Sequence, residues 1–539
     1  VALLVGNVNL PDDVEAYAGA VAGMLKLPVG HITAVHLIRR SLDARKHPPL
    51  RKGVFKVELR DEAGVLRRAI PSVRAWTDRD DARYGLGDAG APQPISVPMG
   101  ARAIVVGAGP AGLFAALWLA EAGLSVLLLD RGGPTEDRVP AVNDFWRRRV
   151  EVDPENNLLF GEGGAGTFSD GKIYTRRRDG EIGYVLRRFV DFGAEPSILE
   201  EGWAHLGTDR VRAILPVFRA RLAALGAEVR YHARVDDLIV TSGRCRGVVL
   251  ADGTRETASA VVMAPGHSAR DTVRMLVSRG ARVERRAVAI GARIEHPQAV
   301  IDDARYGHGA RGDLPAASYR LAWHPPEGPK ARTFCMCPGG MVVPAMNAPG
   351  RVVVNGMSFA AQRAYWANAA VIVELGPEVY GGGEDPLAGY AWQDAIERAA
   401  FEAGGGDHSA PAQRVIDLQR GQVSGSLPRS SYPLGLRAAD LRTVLPSAVV
   451  GGMLAAIDDF ARQVRGFAGE DALLIAPETR TTSPVGFLRT EHGESLGLPG
   501  LFPSGEGAGW GGGIVSCAID GVKTARGVVA TLPHTVGVA

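Results

Sequence analysis

Apolar and polar positions along the chain fall into short runs that predict strands and helices in alternation. Residues 2–8 and 53–59 read as strands. Residues 11–25 read as a helix, with Asp12 and Asp13 in its first turn, where the helix dipole favours anions. Between these elements, 39–52 holds Arg39, Arg40, Arg45, Lys46, Arg51 and Lys52. It reads as a solvated loop, with a docking surface for an acidic protein partner as the alternative. Residues 86–100, rich in Gly, Ala and Pro, read as a linker. From 103 to 129 the chain is apolar almost throughout. Four glycines, Pro110 and Glu121 interrupt it, so strand, turn, helix and strand fit better than a membrane helix. A helix at 210–225 follows, then strands at 228–231, 235–240, 245–250 and 260–263. Residues 284–430 mix strand-like runs at 341–344 and 352–355 with a Gly-rich loop at 404–406. A helix is expected at 448–466, and a Gly-rich motif closes the pattern at 505–513. No internal repeat of useful period appears.

Composition narrows the class. At about 100–200 residues per domain, 539 residues imply about three or four domains. Hydrophobic residues at 46% and charged residues at 22% suit a chain able to bury a sizeable core. The 69 glycines are nearly twice the usual share of about 7%. They cluster between apolar runs without a fixed period, which excludes collagen and disordered linkers. With 61 basic and 59 acidic residues the net charge is only +2, which argues against nucleic acid bound over the whole surface. Four cysteines (Cys245, Cys335, Cys337, Cys517) make no disulfide framework, and no secretory pattern is visible at the start. A cytoplasmic setting away from membranes is expected.

The strongest chemical signal is Ile104-Val105-Val106-Gly107-Ala108-Gly109-Pro110-Ala111-Gly112, a strand running into G-x-G-x-x-G and an Ala/Leu-rich helix. Gly107 permits the tight turn, Gly109 lets the backbone approach a pyrophosphate, and Gly112 lets helix and strand pack closely. A second strand ends in Asp130, 23 positions after Gly107, where a carboxylate can hold a ribose 2′-hydroxyl. This is the pattern of a dinucleotide site. Two more strings match the same expression, at 161–166 and 507–512. The first does not open a helix and the second lacks a clean preceding strand, so no separate nicotinamide domain is announced. Both suit backbone wrapped closely around a flat cofactor.

Together these segments resemble the bacterial FAD-dependent dehydrogenases (NAD(FAD)-utilising dehydrogenases) of the glutathione-reductase-like FAD superfamily. Supporting strings are Arg40-Ser41-Leu42-Asp43-Ala44-Arg45-Lys46, Ala264-Pro265-Gly266-His267-Ser268-Ala269-Arg270-Asp271, Cys335-Met336-Cys337-Pro338-Gly339-Gly340 and Glu478-Thr479-Arg480-Thr481-Thr482-Ser483-Pro484-Val485. The resemblance implies an α/β fold. A Rossmann-type, three-layer FAD domain (101–283 and 476–539) would be interleaved with a mixed α+β substrate or cap domain (284–475). A small ferredoxin-like α/β module (1–85) and the 86–100 linker would precede them. It implies FAD as cofactor, with Gly107, Gly109, Pro110, Ala111 and Gly112 at the pyrophosphate and Asp130 and Arg131 at the adenosine ribose. Val235 falls where relatives hold the adenine, and Ala264, Pro265 and Gly266 at the second crossing toward the flavin. Gly505 joins the cofactor-binding residues, and Glu506 and Gly507 correspond to the late acidic-Gly motif holding the ribityl–phosphate end, although many relatives carry Asp where Glu506 stands. Gly512, Gly513 and Ile514 would set a helix N-terminus against the flavin's pyrimidine edge, where its dipole stabilises the reduced anion. Gly163, Gly164, Ala165, Gly166, Thr167 and Ser169 would pass near the reactive ring.

Candidate catalytic residues are Thr167 and Ser169 as hydrogen-bonding groups, Lys172 as a cation stabilising reduced flavin, and His267 as an acid or base. Glu478 and Arg480 read as a substrate anchor or as a salt-bridged interior pair. Cys335 and Cys337 would lie about 6.5–7 Å apart on a regular strand, which strains a mutual bridge. No metal site is expected, because two cysteines without His partners are too few ligands. The leading expectation is an FAD-dependent oxidoreductase that transfers a hydride between a small organic substrate and FAD. NAD(P)H stays open as electron donor. The alternatives are an FAD-dependent monooxygenase using O2 and NAD(P)H, an RNA-docking flavoprotein, and an electron relay.

Overall fold

The computed structural model describes residues 2–44, 48–84, 90–92, 100–175 and 179–532. Its first unit runs β1 (Leu3–Asn9), α1 (Tyr17–Leu25), β2 (Ile32–Asp43), β3 (Leu50–Leu59), α2 (Glu62–Arg67) and β4 (Val73–Ala75). The four strands form one antiparallel sheet in the order β2-β3-β1-β4. Val21, Leu25 and Val65 from the two helices pack with Leu3, Val5, Phe55 and Val57 from the strands into a single core. The helix expected at 11–25 starts later than its pattern predicted. Asp13 accepts the Glu15 amide and caps a 3-10 turn at Val14–Ala16, and α1 begins only after it.

Of the stretch expected as a solvated loop at 39–52, residues 39–43 and 50–52 are instead strand, in the paired arms of β2 and β3, with Arg39 opposite Val54 and Arg40 opposite Gly53. Leu37, Phe55 and Val57 carry the strand pattern, and the basic residues ride on it. The outer edge of β2 is covered by the segment 200–202. Arg40 donates its amide to the Glu200 carbonyl at 2.7 Å and accepts the Gly202 amide at 3.0 Å, while its guanidinium pairs with Glu201 at 3.1 Å. An edge strand that would otherwise offer free amides is closed within the chain. Arg45 and Lys46, and most of the 86–100 linker, lie outside the described residues.

The apolar run at 103–129 folds into β5 (Arg102–Val106), α3 (Pro110–Glu121) and β6 (Ser125–Leu129). With β7 (Glu228–Arg230), β8 (Ala260–Met263) and Leu501–Pro503 these strands form a parallel sheet, ordered 501–503, β8, β5, β6, β7. Ala111 through Ala120 of α3 are all buried, as a helix apolar on every side must be. The last helix, Ile514–Thr531, covers α3 so closely that a Cβ on Gly521 would meet the Ala111 carbonyl oxygen at 2.1 Å.

A second sheet is built mainly from antiparallel strands, among them Val288–Pro297, Ala331–Pro344, Val354–Ser358, Trp366–Leu375 and Leu473–Glu478. Of these, 288–297 and 366–375 bury nearly every residue, so they present no alternation to read. Phe145 and Val152, from the stretch between β6 and β7, join the core of the second sheet, and Tyr390 joins the core that holds Ile104 of β5 and Leu127 of β6. Among the described residues no helix is long and apolar enough to cross a membrane.

Candidate active site

A cavity of about 890 Å³ lies between the carboxyl ends of the parallel strands and the face of the second sheet. Ligands of open parallel sheets bind at such strand ends. One wall begins at Gly107, whose φ of +101° and whose closeness to the Ala264 carbonyl, 2.2 Å from a built Cβ, leave room for no side chain. Gly109 caps α3, and with Pro110 and Ala111 it lines the cavity, so the helix N-terminus and its amides face inward. Gly112 is off the wall, where a Cβ would strike the Gly107 carbonyl oxygen at 1.8 Å; its role is packing.

Asp130 lines the same end. Its carboxylate accepts the amides of Ala108 (2.6 Å), Gly132 (2.8 Å) and Gly161 (3.0 Å), tying the first Gly-rich turn to the second. Burial raises its pKa, against the pull of these amides and of Arg138. Arg131 is already engaged with Asp271 at 2.5 Å and Glu155 at 3.3 Å, and it lies over the Phe160 ring. Val235, Ala264, Pro265 and Gly266 line the wall beyond.

Gly164, Ala165 and Gly166 reach the cavity in a short 3-10 turn, whereas Gly163 is turned away, its amide bonded to the Ala108 carbonyl. The organiser of this loop is Arg138, which sequence reasoning missed. Fully buried, it donates to the carbonyls of Asn157, Leu158, Glu162 and Gly164 and to the Thr167 hydroxyl. Its position three residues after Thr135, four before Val142 and seven before Phe145 in the helix Thr135–Trp146, all on the buried side, was the available signal. Thr167 lies off the cavity wall, its hydroxyl spent on the Glu162 carbonyl at 2.8 Å. Ser169 is on the wall, but its hydroxyl donates to the Gly166 carbonyl.

Lys172 projects from the end of this loop onto the wall. Its Nζ pairs with Asp170 at 2.7 Å, donates to the Met336 carbonyl at 2.5 Å and lies 4.0 Å from the Cys335 sulfur. Burial opposes its charge, yet Asp170 and the two cysteines outweigh that and raise its pKa. Asp170 is held below the usual carboxylate range, because Lys172 and His205, 3.2 Å away, overcome its burial. Ser358 also donates to Asp170.

Also on the cavity wall, His267 sits 3.8 Å from Glu506. Burial, with Arg480 and Arg270 nearby, pushes His267 down to about 3, so it is neutral at pH 7. Burial pushes Glu506 up to about 8, which lets its carboxyl donate a hydrogen bond near neutrality. Gly505, Gly512, Gly513 and Ile514 complete this wall, with Gly513 capping the last helix toward the cavity. The strand missing from the sequence reading of 507–512 is Leu501–Pro503, two residues before Gly505. Glu478 and Arg480 do not pair with each other. Glu478 holds the buried Arg293 at 2.5 Å, and Arg480 holds the buried Glu397 at 2.8 Å.

Two inward-facing helix N-termini, a turn with glycine at 107 and 109 and an acid just after β6 fit an extended dinucleotide. Residues 101–142 and 167–370 match two families, each described as an FAD binding domain, and 287–481 match "FAD-dependent protein, C-terminal domain-like". A protein of Clostridium beijerinckii, described as uncharacterized, is 37% identical over 529 residues, 97% of each chain. Among solved structures, the chain is similar to an E. coli quinol fumarate reductase (15% identity, 80% of this chain and 71% of that one, TM-score 0.37). It is also similar to a 3-ketosteroid-Δ4-(5α)-dehydrogenase from Rhodococcus jostii (14%, 82% and 99%, TM-score 0.35). The chain belongs to one family with the Clostridium beijerinckii protein, and it is an FAD-dependent oxidoreductase.

Proposed function

We propose that the protein transfers a hydride between a small organic substrate and FAD, with NAD(P)H as a candidate electron donor. In this reading 101–283 and 476–539 are a glutathione-reductase-like FAD domain and 284–475 a substrate domain. Residues 1–85 are a ferredoxin-like module, consistent with the β1-α1-β2-β3-α2-β4 order. Gly107, Gly109, Pro110 and Ala111 hold the pyrophosphate beside the start of α3, and Asp130 the ribose. Val235, Ala264–Gly266, Gly505, Glu506 and Gly512–Ile514 hold the remainder. Bound FAD supplies a ring that accepts or returns two electrons as a hydride.

The observation that carries the reading is Lys172. A cation brought to a cavity wall between Gly-rich segments, and fixed there by Asp170, is preorganised to favour negative charge developing beside it. His267, neutral at pH 7, is a hydrogen-bonding group on the same cavity's wall beside Glu506. Its low pKa makes it a poor base, and the reading assigns it orientation of the substrate. The test is an anaerobic titration with NADH and then NADPH, following the flavin absorption band. Bleaching within seconds by one of them is the expected result. Flavin that resists both, and resists a panel of small organic hydride donors, overturns the assignment.

A further inference from the structure

Cys335 and Cys337 sit in Ala331–Pro344, the strand that forms the far wall of the cavity. The strand is not regular there. Phe334 pairs with Ala370 and Cys337 with Asn368, so three steps on one strand match two on the other, the signature of a bulge. Cys335 is the extra residue, with φ of +44°, a left-handed conformation that is costly for any side chain but Gly. A regular strand would hold the two Cα atoms about 6.5–7 Å apart, and the bulge breaks that regular geometry. Cys335 opens onto the cavity. Cys337 is fully buried behind it, its sulfur 3.2 Å from the Cys335 carbonyl oxygen. Lys172 approaches the Cys335 sulfur from the loop side at 4.0 Å, and the buried Arg293 takes the Cys335 carbonyl at 2.8 Å.

We propose that Cys335 and Cys337 form a redox-active pair, Cys335 the attacking sulfur open to the cavity and Cys337 the buried sulfur that resolves it. The electrostatics agree with this division. The adjacent Cys337 thiol, followed by Lys172 and Arg293, lowers the pKa of Cys335 against its burial, while burial and the neighbouring Cys335 raise that of Cys337. The co-reactant class is a small-molecule disulfide. The Cys335 thiolate attacks one of its sulfurs, a mixed disulfide forms, the substrate S–S bond breaks and one thiolate leaves. Cys337 then gives up its proton and attacks the Cys335 sulfur, closing the Cys335–Cys337 bond and expelling the second thiolate. The two cysteine sulfurs lose two electrons, which the substrate gains. The Cys337 proton and one from solvent end on the product thiols. A dithiol in solution reverses the reaction.

The test uses the full chain, exposed at pH 7 to oxidised glutathione, quenched by alkylation and digested with trypsin. Both cysteines fall in the peptide 333–351. The expected peptide is lighter by two hydrogens, unalkylated at both positions and restored by dithiothreitol. The Cys337→Ser chain should instead keep one glutathionyl group on Cys335. With limiting iodoacetamide, Cys335 in the reduced protein should label at least about tenfold faster than Cys337. A wild-type peptide that keeps a stable glutathionyl group, or that does not react, overturns the pair. The flavin spectrum of the Cys335→Ser chain is read alongside, so failure of the pair is distinguished from failure of cofactor binding.

Discussion

Lys172 keeps a charge in a half-buried position because Asp170, itself buried, meets it at 2.7 Å, and the pair is useful to the cavity only as a unit. Replacing Lys172 by Met removes the cation and leaves Asp170 with Ser358 and His205. In the hydride-transfer reading, the midpoint potential of bound flavin at pH 7 should then fall by about 30 mV or more, the equivalent of roughly 1.4 kcal/mol for a two-electron couple. Spectroelectrochemistry on flavin-replete protein measures it, and an unchanged potential removes Lys172 from the electrostatics of the site. At this scale the sequence exposes residues that sit inside short motifs. Gly107, Gly109, Asp130, Lys172, His267 and Glu506 are all on the cavity wall. It hides whatever depends on distant segments meeting. The neighbours of Lys172 come from 170, 205 and 335–337, and the hydroxyl of Thr167, plausible for a ligand from its neighbours, is consumed by Glu162 and Arg138. A bulge that changes the facing of Cys335 has no local sequence sign.

Helix-on-helix contact sets how the Gly-rich turn is held. Gly521 of the last helix touches the Ala111 backbone of α3, and Gly527 touches that of His492, so this helix lies against its neighbours backbone to backbone. Gly521→Ala puts a methyl group about 2.1 Å from the Ala111 carbonyl oxygen, a contact that no side-chain rotation relieves. It should lower stability by about 1–3 kcal/mol and weaken flavin retention, because α3 cannot shift without moving Gly109 and Pro110 at its start. Gly451 is the contrast. It lies exposed inside the helix Ser447–Gln463 with nothing within 4 Å of a built Cβ, and Gly451→Ala should raise stability by about 0.5–1 kcal/mol. Urea unfolding of both variants checks the pair, and equal effects would contradict the packing argument. Elements with a clear period or a motif, β5-α3-β6 above all, are legible in sequence. The strand ends at 39–43 and 50–52 are not, because arginines on a strand edge resemble a charged loop until 200–202 is found beside Arg40. The 288–297 and 366–375 strands are equally opaque, since burial on both faces erases the alternation that identifies a strand.

Across the whole molecule, the cavity lies between two sheets that keep separate cores, and histidines largely shielded from solvent lie on both of its supports. His267 follows β8 of the parallel sheet. His296 belongs to the second sheet, 1% exposed, with its Nε2 2.7 Å from the Phe467 carbonyl. Burial pushes His296 down to about 4 and His267 to about 3, from an ordinary value of 6.5. The unfolded chain therefore takes up protons near pH 6.5 that the folded chain refuses until pH 4 or below. Stability from these groups is complete above pH 6.5 and is lost as pH falls. For His296 alone the loss at pH 4 is on the order of 3 kcal/mol. His296→Gln, neutral at every pH and still able to donate to the Phe467 carbonyl, should flatten this acid limb while changing stability at pH 7 much less. Urea midpoints at pH 7, 6, 5 and 4 decide the matter. Parallel decline in wild type and variant would mean that the acid sensitivity comes from the buried carboxylates, Glu397 between Arg270 and Arg480 foremost, rather than from histidines kept neutral between the sheets.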